Sequence, residues 1–128
     1  MNEYVLDASA LLAMLQNEPG ADIVQENLSN SVISSVNFSE TVSRLVRYGM
    51  PEHEIQEMLG LFGLEIIPFS EDLAYSCGFL VNMTKSSGLS FGDRACLALS
   101  KQLNRIALTA DRAWLSISID IKIEMIRS

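Results

Sequence analysis

Apolar residues fall in short runs and in helical stripes, and the two alternate along the chain. Tyr4, Val5 and Leu6 form an unbroken apolar run within residues 3–7, which reads as a short buried strand. Residues 10–16 are a leucine-rich helix, stopped by Asn17, Glu18, Pro19 and Gly20. Pro19 and Gly20 lead into a helix with Ile23, Val24, Asn27 and Leu28 on one face. A very short second strand is expected at 32–34. A helix over 37–48 follows, with Phe38, Val42, Leu45 and Val46 at helical spacing and Gly49 ending it. Pro51 opens another helix, whose apolar face is Ile55, Met58, Leu59 and Phe62. The third strand is expected at 64–69. Ser70 begins a helix that turns Leu73, Cys77, Leu80 and Val81 inward, and Glu71 and Asp72 suit its N-terminus. Residues 82–90 read as a flexible connection from Thr84-Lys85-Ser86-Ser87-Gly88. The helix over 93–102 is apolar nearly all round from Ala95 to Leu99, which implies deep burial. A fourth strand at 105–109, a helical turn at 112–116 and a half-exposed edge strand at 121–126 complete the pattern.

Strands alternating with helices imply an α/β fold, a parallel sheet with helices on both faces. Right-handed crossovers then bring every strand's carboxyl end to one edge. A length of 128 residues suits one domain, and no linker, repeat or low-complexity tract divides it, so a single domain over 1–128 is expected.

Composition narrows the function. At 48% hydrophobic residues, the chain has the material for a core, which argues against disorder. A net charge of −7 disfavours nucleic-acid binding through a broad basic face. Cys77 and Cys96 both fall in helical patterns and read as buried free thiols. One histidine and no C-x-x-C exclude the usual zinc patterns. The N-terminus lacks a basic stretch followed by an apolar run and a cleavage site, and no apolar run reaches the ~18–20 residues that span a bilayer. A cytoplasmic protein with no membrane partner is therefore expected.

Against this background four acids stand out. Asp7, Glu40, Asp93 and Asp111 each lie where an apolar segment gives way to a turn or a helix start. Parallel sheets bind ligands at the carboxyl ends of their strands. Four carboxylates gathered there repel one another unless a hard divalent cation lies between them, and Mg²⁺ prefers oxygen ligands. Each acid also has a plain structural role open to it. Asp7 can cap the following helix, and Asp111 can cap the turn at Arg112. Glu40 stands three residues after Asn37, and Asp93 three after Ser90, both at capping-box spacing. Capping and ligation are compatible, because a helix N-terminus holds an acid ionised. Ser9 and Thr109 are candidates to orient the carboxylates, or simple hydroxyls at a helix start and a strand end. Arg94 and Arg112 each follow an acid directly and suit either substrate phosphate or an ion pair. His53 reads as a solvated helix residue, and Trp114 as packing rather than a platform for a base.

In this setting Val5-Leu6-Asp7-Ala8-Ser9-Ala10-Leu11-Leu12 resembles the opening motif of PIN domains, especially VapC-type toxins of toxin–antitoxin pairs. The segment from Ser34 to Val42 around Glu40 resembles their second acidic motif. The segment from Leu89 to Leu99 around Asp93 resembles the third, and that from Leu108 to Trp114 around Asp111 the fourth. The likeness covers nearly the whole chain, in the family's order. It implies a three-layer α/β/α fold with a parallel sheet of about five strands. It also implies an endoribonuclease dependent on Mg²⁺ or Mn²⁺ held by the four acids, homodimers, and a cognate antitoxin that blocks the site. Some relatives carry a further acid past the fourth motif. Residues 113–119 hold none, so no fifth ligand is assigned.

Two other readings compete. A phosphohydrolase of the haloacid-dehalogenase type needs a second aspartate two residues after the first, where Ser9 stands. A catalytically silent module would bind RNA or protein through the same fold, and the complete set of acids argues against it.

Overall fold

The computed structural model describes residues 3–128, and the expectation drawn for Met1 and Asn2 lies outside the described residues. Five strands form one parallel sheet in the order β3-β2-β1-β4-β5: β1 (Tyr4–Leu6), β2 (Ser31–Ser34), β3 (Glu65–Ile67), β4 (Ile106–Thr109) and β5 (Ile123–Met125). β1 sits at the centre. Val5 pairs with Val32 on one side and with Ala107 on the other, and Leu6 with Ile33 and Leu108. The chain winds outward from β1 to β3, then returns to β4 on the far side of β1. The winding therefore reverses between β1 and β4, which opens a crevice at their carboxyl ends.

Alternation along the strands builds two cores. Val5, Val32 and Ala107 face α5 (Glu71–Phe79) and α7 (Phe91–Leu103). Tyr4, Leu6, Ile33, Ile106 and Leu108 face α1 (Ala8–Leu15) and α2 (Ala21–Glu26). The expected three layers are present. A third cluster of Leu12, Leu45, Ile55 and Leu59 joins α1 to α3 (Ser35–Arg47) and α4 (Glu52–Leu61). Cys77 and Cys96 are buried free thiols, as expected. Among the described residues no helix is long and apolar enough to cross a membrane.

Several expectations need correction. α3 starts at Ser35, not at residue 37, because the Ser34 hydroxyl accepts the Val36 N–H and caps it. Residues 82–90 are not an irregular connection. α6 (Val81–Thr84) and a 3₁₀ turn (Lys85–Ser87) occupy most of them. The buried Thr84 hydroxyl anchors this segment by donating to the Leu80 carbonyl. Val81 does not turn inward with Leu80; it is 40% exposed. β3 is shorter than 64–69 and lies at an edge, with Glu65 and Ile66 exposed.

Candidate active site

Asp7 leaves β1 in extended backbone and caps α1, its Oδ1 accepting the Ala10 N–H at 2.8 Å. The Ser9 hydroxyl lies 2.7 and 2.9 Å from the two carboxylate oxygens and donates across them. The Thr109 hydroxyl donates to Oδ2 at 2.5 Å. Both hydroxyls also accept from the far strand's end. Ser9 Oγ takes the Ala110 N–H and Thr109 Oγ1 takes the Asp111 N–H. The ends of β1 and β4 are thus stapled together around one buried carboxylate. Three donors do not replace full hydration. Burial pushes the Asp7 carboxyl up to about 6; the bonds from Thr109, Ala10 and Ser9 oppose the rise, and the Asp93 charge adds to it.

Glu40 is held from inside its own helix. The Asn37 side chain is buried, and its Nδ2 donates to Glu40 Oε1 and to the Gly92 carbonyl, both at 2.9 Å. Both neighbours are acceptors, so the amide has only one satisfactory orientation. Asn37 Oδ1 is left without a partner. The spacing of Asn37 and Glu40 is therefore not a capping box, since Ser34 is the cap. Gly92 makes the approach possible: a Cβ there would overlap the Glu40 carboxylate. Burial raises the Glu40 pKa. The Asn37 bond lowers it, the Asp93 charge raises it, and Arg44 lowers it.

Asp93 occupies the third position of α7 in a full capping box with Ser90. Asp111 caps the 3₁₀ turn Arg112–Ser116 by accepting the Ala113 N–H. The plain structural roles of Asp7, Asp93 and Asp111 are therefore all real. The fold also brings acids together. Asp93 acts electrostatically on both Asp7 and Glu40. Burial first, then the charges of Asp7, Asp93 and Glu40, push the Cys96 thiol beneath them well above its usual range. Asp111 is linked to the others through its backbone, whose N–H bonds the Thr109 hydroxyl that donates to Asp7, while its carboxylate caps the 3₁₀ turn.

Among the described residues, no three histidine, cysteine, aspartate or glutamate side chains converge closely enough to enclose an ion. Each acid is turned to its own donors. The ligand atoms on offer nevertheless suit a hard cation. They are all carboxylate oxygens, and one is deeply buried with its pKa raised. Among the described residues none of the four acids is in an ion pair. Asp7 is fixed, whereas Asp93 and Asp111 are half-buried members at the rim.

Arg94 does not face this crevice as a free cation. Its guanidinium donates to the Leu89 carbonyl, and its buried Nε has no partner. It belongs to the packing of the α7 entrance. Arg112 is exposed and in no ion pair among the described residues. His53 lies exposed on α4, and Trp114 is 1% exposed, a packing residue as expected. Asn37 and Gly92 were missed from sequence. The available signal was a polar residue on the inward side of α3, one turn before Glu40.

A PIN domain family model matches residues 4–119. No curated protein matches the chain. The chain is similar to solved structures that share its fold. DNA-bound VapBC from Salmonella typhimurium has a TM-score of 0.76 at 18% identity, covering 98% of this chain and 99% of that one. VapBC2 from Rickettsia felis, bound to a promoter fragment, has a TM-score of 0.72 at 20% identity, with coverages of 95% and 97%. VapBC-5 from Mycobacterium tuberculosis, described as a member of the VapBC family of toxin–antitoxin systems, has a TM-score of 0.62 at 19% identity and covers both chains fully.

Proposed function

The chain belongs to the PIN domain family, and from that premise we propose that it is a metal-dependent endoribonuclease, the toxin of a toxin–antitoxin pair. One observation carries the reading. Asp7 is a buried acid at the reversal point of the sheet, without a cationic partner among the described residues, and within electrostatic reach of Asp93, which also acts on Glu40. A Mg²⁺ or Mn²⁺ ion held by Asp7, Glu40, Asp93 and Asp111 would supply an activated water and offset charge on the phosphate.

The chain's own residues do the rest. Ser9 and Thr109 bond both Asp7 oxygens and fix the carboxylate at the ends of β1 and β4. Asn37 restrains Glu40 against Gly92. Asp93 and Asp111 stay at the mouth, each anchored by a backbone bond. Arg112, exposed and in no ion pair among the described residues, is the candidate to meet a substrate phosphate. Neither cysteine nor Ser9 is poised as a nucleophile: both cysteines are buried, and the Ser9 hydroxyl is engaged. Attack by water on phosphorus, with the P–O3′ bond breaking and the 3′-oxygen leaving, gives a 5′-phosphate and a 3′-hydroxyl.

The toxin part of the reading draws on the similar VapBC complexes and on a surface of this chain. A groove of about 500 Å³ between α3, α4 and β3 is lined by Phe38, Val42, Val46, Ile55, Leu59 and Ile66. Val46 is 50% exposed and Ile66 40%. Such a face suits a covering protein, an antitoxin or a second copy of the chain.

The test is cleavage of RNA by the purified, partner-free protein. Cutting with Mg²⁺ or Mn²⁺, lost in EDTA and leaving 5′-phosphates, supports the proposal. Cyclic phosphate ends, or binding to RNA with no cutting under any divalent ion, would turn it toward a metal-free ribonuclease or a silent binding module.

A further inference from the structure

We propose that the cleft beside Glu40, between α3 and the start of α7, is a nucleobase subsite that stacks one base of single-stranded RNA next to the scissile phosphate. The inference rests on the nuclease reading and deepens it by naming what the base meets.

Phe91 is the first residue of α7 and is 51% exposed. Its ring is not loose. It packs on Phe69 with centroids 5.6 Å apart and planes at 89°. The cleft beside it, about 450 Å³, is lined by Ser35, Val36, Ser39, Glu40, Ser43 and Phe91. A candidate metal ligand and a fixed aromatic surface therefore share one cleft. Ser35 is committed, because its hydroxyl accepts the Phe69 N–H. Ser39 and Ser43 are exposed. Among the described residues their hydroxyls take no part in the intramolecular bonding that occupies Ser35 and Thr41. Spaced four residues apart, Ser39 and Ser43 lie on one side of α3, and Arg47 continues that stripe. Among the described residues neither Arg44 nor Arg47 is in an ion pair.

These features match a nucleotide. A base offers a flat face to Phe91 and both donors and acceptors to hydroxyls, while its phosphates suit Arg44 and Arg47. A partner helix fits less well, because the cleft offers only Val36 and Phe91 as apolar contacts. Stacking also needs no broad basic face, which this acidic chain lacks.

The experiment measures cleavage of a single-stranded RNA oligonucleotide with Mg²⁺, and its binding by fluorescence anisotropy in an Asp93→Asn background. Phe91→Leu keeps apolar bulk without a flat face. It should raise KM and weaken binding about tenfold, with kcat within about twofold, since stacking acts on binding. Phe91→Trp should restore both. Ser39→Ala with Ser43→Ala should shift the base preference found by sequencing the cut ends, with little change in melting temperature. Unchanged KM, affinity and base preference in Phe91→Leu would overturn the subsite while leaving the nuclease standing. Normal RNA handling with lost binding of a protein partner would also overturn it and reassign the cleft to that partner. A wild-type protein that neither binds nor cuts RNA removes the nuclease reading, and the subsite with it.

Discussion

The centre of the sheet and its β3 edge are built on opposite principles. At the carboxyl ends of β1 and β4 every strand residue is buried, and a carboxylate is enclosed by hydroxyls and backbone donors. At β3 the strand is exposed, and α3 and α4 leave an apolar groove open beside it. The first region places polarity where solvent is scarce, and the second places apolar surface where solvent is plentiful. Neither arrangement favours stability of the isolated chain. The contrast teaches where function resides: the crevice suits an ion and a phosphate, and the groove suits another protein.

The strongest way to break this contrast is at Asp93. Asp93→Asn keeps a side-chain acceptor for the Ser90 N–H and so keeps much of its capping box. Loss of RNA cutting by about a hundredfold or more, with an intact fold by circular dichroism, is expected. Full activity in this variant would reduce Asp93 to a cap.

Asn37→Leu sharpens the same region. It fills the amide's space without an unpaired Oδ1 and releases Glu40. Mn²⁺ affinity, read by electron paramagnetic resonance, should fall about ten- to a hundredfold, as when a ligand loses its orienting partner. Because Asn37 acts through Glu40, Asn37→Leu added to Glu40→Gln should cost little beyond Glu40→Gln alone. Additive losses would make Asn37 a purely structural residue.

At the β3 edge, Val46→Asp places a charge in the groove and leaves the crevice untouched. Its cutting rate should match the wild type. Affinity for the proposed antitoxin partner, measured by calorimetry, should fall about tenfold or more. Unchanged affinity would place that partner elsewhere.

The last effect, read as a shift of a few degrees in melting temperature, concerns stability in EDTA. Between pH 3.8 and about 6 the folded protein keeps a proton on Asp7 that the unfolded chain has released. Stability from this group is therefore full at low pH and is lost as pH rises through about 6. The cost is on the order of 3 kcal/mol at most, at about 1.4 kcal/mol per unit. Asp7→Asn can still accept from Ala10 and avoids the buried charge. It should melt above the wild type by a few degrees at pH 7.5, and the advantage should vanish near pH 4. A lower melting point at pH 7.5 would show that the cap outweighs the charge.

Much of this was legible in the chain. Short apolar runs alternating with stripes specified a parallel α/β sheet, and Asp7, Asp93 and Asp111 follow strand or helix signals that local chemistry makes strong. What escaped depends on distant contacts. Nothing within α3 shows that Asn37 meets the Gly92 carbonyl, 55 residues away. Arg94 follows an acid as a phosphate ligand would, yet the Leu89 carbonyl draws it inward. Residues 82–90 look like a loop by composition, and the buried Thr84 and Leu89 hold them in shape. Composition reports propensity, and packing decides.

The most direct test of the metal centre is a calorimetric titration of Mn²⁺ into the partner-free protein at pH 7.5, with Asp7→Asn and Asp93→Asn alongside. Saturable binding by the wild type is expected, sharply weakened in both variants. At a hundred times the dissociation constant, Mn²⁺ should add about 2.7 kcal/mol of stability to the wild type. No binding by the wild type, or equal binding by all three proteins, would contradict the assignment of these carboxylates as the ligands.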